Sequence, residues 1–326
     1  MVLVLCSTLK QSRCKKGVVM SQENSNPLFG GVEAGGTKFR CVLADSRGFI
    51  KARMDIPTTT SEETLAAVND FFVKTAPEFG QLAALGIVSF GPLDFNPRSP
   101  TYGYITKTPR PGWSNINLRG FFKDSLNVLV EIETDVNSSA MGEFTEGAAV
   151  DCENFVYVTV GTGVGAGIFA GGKLMQGISH PEVGHMMVPL AEEDKGFAGS
   201  CSFHGNCLEG LASGTAIHKR WQTHPKQLPP EHPAWDLEAY YLAVMCVNLT
   251  WMYAPEKIIF GGGVMTRSFL YPKIRANLKK MLNAYAHDAA LDDMDTYIIP
   301  TALGGDAGIT GALALARRAY LEARNA

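Results

Sequence analysis

Twice in this chain an apolar strand runs into a glycine-rich loop and straight out into a second strand. That pattern narrows the possible folds more than any other feature. Residues 28–32 lead into Glu33-Ala34-Gly35-Gly36-Thr37-Lys38, and Phe39, Cys41, Val42, Leu43 and Ala44 follow at once. Residues 155–160 lead into Gly161-Thr162-Gly163-Val164-Gly165, and residues 166–169 resume the strand. Residues 31–38 come near a P-loop, but they end Thr37-Lys38, and a strand follows where the P-loop needs a helix. The glycines at 163–167 likewise lack the helix that a dinucleotide fingerprint opens. The repeat predicts two similar α/β halves with a boundary near residue 150, and 326 residues suit about two domains.

The remaining elements follow from pattern and punctuation. Asp45-Ser46-Arg47-Gly48 is a turn, and residues 49–56 read as a third strand. Ser61-Glu62-Glu63-Thr64 opens a helix over 61–75 with a capping signal. Strands are expected at 85–90 and 128–133, and a helix at 137–144. In the second half, 236–253 is a long apolar helix, and 257–260 is a short strand before Gly261-Gly262-Gly263. Asp306 is placed to cap the last helix, 307–321.

Three glycine clusters, at 35–36, 161–165 and 261–263, each follow an apolar strand. Glycine brings backbone N–H groups close to an anion, so two facing hairpins can hold a polyphosphate and the third cluster a base or ribose. Each cluster alone is equally at home as plain turn chemistry. Asp135 stands at a strand end in Glu133-Thr134-Asp135-Val136-Asn137. It reads equally as a base that accepts a proton from an attacking hydroxyl or as a helix N-cap. Asn137, Glu182 and Glu209 are candidates to bind a polyol, and Trp113 either stacks on a sugar or packs in the core.

His185, Cys201, His204 and Cys207 lie within 23 residues, and three of them fall on one tight Cys-x2-His-x2-Cys loop. Four imidazole and thiolate donors are the ligand set of structural zinc, closed to catalysis because no coordination position stays open. His180 and Cys152 are treated as non-ligands.

Composition excludes several classes. With 29 basic and 32 acidic residues the net charge is −3, without the basic excess of a nucleic-acid binder. An apolar fraction of 46% argues against disorder. No apolar run reaches the length of a membrane span. Seven cysteines, an odd number without a secretory signal, point to a reducing, cytoplasmic setting. Residues 1–27 fit neither half and read as a non-folding extension, with Met20 a plausible alternative start and no complete targeting signal.

Taken together, the stretches Gly31 to Lys38, Ser89-Phe90-Gly91-Pro92, Tyr102-Gly103-Tyr104-Ile105-Thr106, Asp135-Val136-Asn137, Gly161-Thr162-Gly163, His180-Pro181-Glu182-Val183-Gly184-His185, Cys201 to Gly210, and Gly261-Gly262-Gly263 resemble the ROK family of sugar kinases in its fructokinase branch. The resemblance runs from about residue 28 to the end of the chain. It implies an actin-like ATPase fold: two ribonuclease H-like domains, 28–150 and 151–326, closing on ATP and a hexose, with the last helix crossing back to the first domain.

It further implies that Asp135 is the general base, and that Gly91, Asn137, Glu182 and Glu209 bind the sugar. Gly35, Gly36, Thr37, Lys38, Gly161, Thr162 and Gly163 would hold phosphates. Gly262, Gly263, Val264, Met265 and Thr215 would take the rest of the nucleotide. Zinc would fall on His185, Cys201, His204 and Cys207. Glu33, where many members carry Asp, would stand near Mg2+. The implied assembly is a homodimer. The implied function is an ATP-dependent fructokinase. Its rivals are a kinase for glucose, mannose or an acylated hexosamine, and a non-catalytic sugar-binding or sugar-responsive regulatory protein. A regulator needs a DNA-binding domain, and residues 1–27 carry no helix-turn-helix pattern.

Overall fold

A computed structural model describes residues 26–325 apart from 109, 178 and 286–288. The expected N-terminal extension, Met20 included, lies outside the described residues except for Asn26 and Pro27.

In the first half, β1 (Leu28–Ala34), β2 (Lys38–Ala44) and β3 (Ile50–Pro57) form an antiparallel meander, and α1 (Ser61–Phe79) crosses to β4 (Leu82–Ser89). Short strands β5 (Tyr104–Ile105) and β6 (Ile116–Asn117) and helix α2 (Leu118–Leu126) lead to β7 (Leu129–Thr134) and α3 (Asp135–Glu146). The sheet order is β3-β2-β1-β4-β7, with β4 parallel to both β1 and β7.

The second half begins with β8 (Phe155–Val160), β9 (Val164–Ala170) and β10 (Lys173–Leu174). A long crossover through α4 (Leu208–Ala212), α5 (Gly214–Trp221) and α6 (Ala234–Tyr253) reaches β11 (Lys257–Gly261). Then come α7 (Leu270–Leu282), α8 (Ala289–Asp292), α9 (Met294–Tyr297), β12 (Ile298–Pro300) and α10 (Ala307–Asn325). The order is β10-β9-β8-β11-β12, with β11 parallel to β8 and β12. The ribonuclease H-like order therefore occurs twice, and both glycine loops are hairpin turns between antiparallel strands.

Burial on both faces explains the near-continuous apolar runs in β1 and β4. One face packs on α1 through Val68, Phe72 and Leu85. The other packs on α10 through Phe29, Val88, Ile309 and Leu313. Helix α10 therefore lies on the first sheet although it closes the chain. It also crosses α3 backbone to backbone: a Cβ on Gly311 would collide with the Ser138 carbonyl, and one on Gly142 with the Ala307 carbonyl. On the other side of α3, Val136 and Ala140 join a core with Phe155, Tyr157 and Phe169 of the second sheet. The helix that begins at Asp135 is thus clamped between the two halves.

Two expected caps are corrected. Helix α1 is capped one residue earlier than expected, by Thr60, whose hydroxyl accepts from Glu63 N at 3.2 Å. Asp306 does not act as a cap: it ends a 3-10 turn running into α10, and its carboxylate faces Arg40 at 3.3 Å and Arg53 at 3.5 Å. Among the described residues no helix is long and apolar enough to cross a membrane.

Candidate active site

The parallel strands of the first sheet end in register, Ala34 opposite Ser89 and Ser89 opposite Thr134. Just beyond these ends stand the loop 35–37, Gly91-Pro92 and Asp135. In the second sheet Thr159 pairs with Gly261, so the loop 161–163 and residues 262–265 leave a common edge. The carboxyl ends of parallel strands are where α/β sheets hold ligands. A cleft of 690 Å³ opens there between the halves, lined from one side by Gly91, Pro92, Phe95, Thr134 and Asp135, and from the other by residues 161–165, His180, Glu182, His185 and Glu209.

Asp135 is the first residue of α3 and not its cap. Thr134 caps the helix, its hydroxyl accepting from Asn137 N at 3.1 Å. Asp135 Oδ1 accepts from its neighbour Val136 N, at 2.8 Å. The carboxylate is open to cleft water but walled by protein on its other sides. That desolvation raises its carboxyl above the ordinary value, against the pull of the Val136 N–H and of His180. A raised carboxylate beside a cleft suits proton acceptance.

Asn137 is corrected. It is fully buried, and its Nδ2 donates to Glu133 Oε1 at 3.0 Å, so it does not reach the cleft wall. One helical position separates a residue on the cleft from one in the core, and Thr134 takes the wall position instead. Glu182 does reach the cleft. Its Oε1 lies 2.8 Å from His180 Nε2, a bond that lowers the glutamate and raises the histidine. His180 stands outside the metal-donor cluster, as expected, and lines the cleft, its ring edge-on to Phe95 with centroids 5.6 Å apart. Trp113 packs: it is buried between Phe39 and Phe90, and its Nε1 donates to Thr59 O at 3.1 Å.

Both hairpin loops are held from below. Gly35 N donates to Lys38 O at 3.1 Å, and Thr58 binds both Thr37 O and Gly35 O at 2.9 Å. Lys38 points to Asp55 of β3, with which it pairs, and Glu33 pairs with Arg40 at 3.3 Å. Burial pushes the Glu33 carboxyl up, and Asp135 and Asp306 add to the rise. In the second loop Gly161 N donates to Gly163 O at 2.9 Å, and Gly214 N, at the start of α5, donates to Gly161 O at 2.8 Å. Glu209 props the same loop, its Oε2 accepting from Val164 N at 3.1 Å.

Behind it lies a 490 Å³ cavity lined by Gly161, Thr162, Thr215, Gly263, Val264 and Arg267. The Thr215 hydroxyl donates to Thr162 O at 2.7 Å. Gly262 turns there with φ +90°, close against the Val160 backbone, a place that excludes a side chain. Met265 and Gly262 face a neighbouring 680 Å³ cavity.

The four metal-ligand candidates converge. One donor atom from each of His185, Cys201, His204 and Cys207 falls within 4.8 Å of the others. Cys201 Sγ is 3.9 Å from His185 Nδ1 and 3.8 Å from His204 Nδ1, and Cys207 Sγ is 3.6 Å from His185 Nδ1. Tetrahedral zinc with its usual bonds separates nitrogen and sulfur donors by about 3.5 Å, so the set fits such an ion.

Comparison with known proteins agrees with this architecture. The ROK family matches residues 29–319. A fructokinase of Pediococcus pentosaceus is 44% identical, over 91% of this chain and 100% of that one. A fructokinase of Zymomonas mobilis is 42% identical, over 90% and 98%. Among solved structures, the ROK hexokinase of Thermus thermophilus shares the fold with a TM-score of 0.75 at 24% identity, covering 92% of this chain and 100% of that one.

Proposed function

The chain belongs to the ROK family, and we propose that it is an ATP-dependent hexose kinase whose acceptor is fructose. The observation that carries the mechanism is the placement of Asp135. It stands at the end of β7, free of capping duty, on a cleft shared by sugar-binding carboxylates and a glycine loop. A hydroxyl of the bound hexose attacks the γ-phosphorus, its proton passes to Asp135, and ADP leaves. Positioning and charge neutralisation do most of the work in such transfers.

Gly91, Glu182 and Glu209 orient the sugar, with Thr134 in the role first expected of Asn137. The N–H groups of Gly36, Thr37, Thr162 and Gly163 take the phosphates, Gly35 and Gly161 closing the two turns with theirs, and residues 262–265 with Thr215 take the adenosine. Mg2+ accompanies ATP and neutralises its phosphates. Glu33, a carboxylate raised by burial and by its acidic neighbours, would gain from a cation and would be the protein's oxygen ligand for it. Zinc on His185, Cys201, His204 and Cys207 would pin the segments that carry Glu182 and Glu209. The same reading includes a homodimer, tested by sedimentation, and a cytoplasmic setting.

The functional test is ADP release across a panel of hexoses. Fructose should give the highest kcat/KM. A higher value for glucose, mannose or an acylated hexosamine would keep the chemistry and change the acceptor.

A further inference from the structure

We propose that Arg110 is a catalytic residue whose guanidinium binds the phosphoryl group in transfer. The inference rests on the kinase reading above and adds to it the cation that the first glycine loop otherwise lacks. The basic side chains of β2 and β3 beside that loop, Lys38, Arg40 and Arg53, are neutralised. Lys38 pairs with Asp55. Arg40 lies 3.3 Å from both Glu33 and Asp306, and Arg53 lies 3.5 Å from Asp306. Arg110 has no carboxylate partner among the described residues.

Its position is nevertheless fixed, by neutral groups. Nη2 donates to Thr58 O at 3.1 Å, and the guanidinium lies 5.9 Å from the centroid of the Phe90 ring. Thr58 is the residue that ties down Gly35 and Thr37, and Phe90 N donates to Ala34 O at 3.1 Å at the sheet edge. Trp113, three residues on, anchors the segment through its buried ring and its bond to Thr59 O. Arg110 and the loop therefore form one unit. Nη1 is turned to the loop: a Cβ built on Gly36 would lie 3.4 Å from it. The guanidinium thus stands in contact range of the loop whose N–H groups would hold an anion.

A planar, permanently charged donor fork suits a phosphoryl group better than a lysine point charge does. Lys38, Arg40 and Arg53 are held by carboxylates, and Arg110 has none among the described residues, so its charge is available to the oxygens on γ-phosphorus as the bond to the leaving ADP oxygen breaks. The new bond joins the hexose oxygen to that phosphorus, the hydroxyl proton goes to Asp135, and the products are hexose phosphate and ADP. Arg110 is neither protonated nor deprotonated in the step. It lowers the barrier by donating hydrogen bonds that shorten as charge shifts.

The test uses the full chain with Arg110→Ala, Arg110→Lys and wild type, measuring kcat, KM for ATP and hexose, and Tm. Arg110→Ala should lower kcat by about 10²–10³-fold, the usual cost of losing one such donor, with hexose KM and Tm near wild type. Arg110→Lys should retain an intermediate rate. Added guanidinium ion should restore part of the activity of Arg110→Ala and none should be gained by wild type, a response that a structural role does not give. Should Arg110→Ala fail to fold, Arg110→Gln keeps a donor for Thr58 O and is read the same way. A kcat within about threefold of wild type, or a loss tracking Tm without guanidinium rescue, overturns the proposal. Wild type that consumes no ATP with any hexose overturns the kinase reading and this inference with it. Active wild type with equally active Arg110→Ala overturns this inference alone.

Discussion

Thr134 and Asn137 are joined by a 3.1 Å hydrogen bond from the Asn137 N–H to the Thr134 hydroxyl, and this bond caps helix α3. It separates two jobs that the sequence allowed one residue, Asp135, to hold. Thr134→Ala should therefore lower stability by about 1 kcal/mol, the usual cost of a lost cap, measured by urea unfolding. Asp135→Asn should not. Burial raises the Asp135 carboxyl, so its ionisation opposes folding above the ordinary carboxylate pKa and not below it. Asp135→Asn should show a slightly higher Tm than wild type at neutral pH. The gain should vanish as pH falls below that range, and water in the cleft keeps it small.

The His180–Glu182 pair holds one wall of the cleft. The bond raises the histidine and lowers the glutamate, so the pair is charged on both sides between these two pKa values. Its attraction weakens as pH rises through the histidine value or falls through the glutamate value. His180→Ala should raise hexose KM and leave ATP KM nearly unchanged. The effect should be greatest inside that window and should shrink on the alkaline side, where wild-type imidazole is already neutral. Steady-state kinetics from pH 5 to pH 9 with both substrates varied separates these outcomes.

Purified protein should carry about one zinc per chain, as a closed four-donor site does. Cys201→Ser should abolish stoichiometric metal by elemental analysis and raise hexose KM, because Glu209 follows Cys207 by two residues and Glu182 precedes His185 by three. Its kcat should fall less than that of Asp135→Asn. Metal-free wild type with full activity would refute the site.

Glu238 is buried in α6 with both carboxylate oxygens lacking a hydrogen-bond partner. Burial pushes its carboxyl well above the usual range, against the pull of Arg220 and Arg267. Those two arginines are engaged elsewhere, Arg220 with Asp194 at 2.8 Å and Arg267 with the Pro225 carbonyl at 2.8 Å. The folded-state pKa lies above the unfolded one, so Glu238 destabilises the fold increasingly as pH rises past the ordinary carboxylate value. Glu238→Gln should raise Tm at pH 8, with the difference closing toward pH 4 in thermal scans.

Local signals in the sequence carried the repeated halves and the Cys/His cluster. A glycine hairpin and a Cys-x2-His-x2-Cys loop are each complete within a few residues, so periodicity and spacing suffice to find them. The apolar helix expected at 236–253 is α6, Ala234–Tyr253, for the same reason. Side-chain direction was less legible. Asn137 and Thr134 both sit beside Asp135, and only the clamp of α3 against α10 and β9 decides which faces the cleft. Helix α7, Leu270–Leu282, went unforeseen because its polar face hides a stripe formed by Ile274, Leu278 and Leu282. Arg110 gave no sequence signal, since its meaning depends on which distant carboxylates it does not meet.

We propose phosphoryl transfer to a hexose with Asp135 as base. Its most direct test is formation of sugar phosphate from fructose and ATP by wild type and Asp135→Asn, both folded at the assay temperature and saturated with fructose. Wild type should form product, and Asp135→Asn should be slower by about 10²–10⁴-fold, the range of general base catalysis. Equal rates in the two proteins would contradict the account.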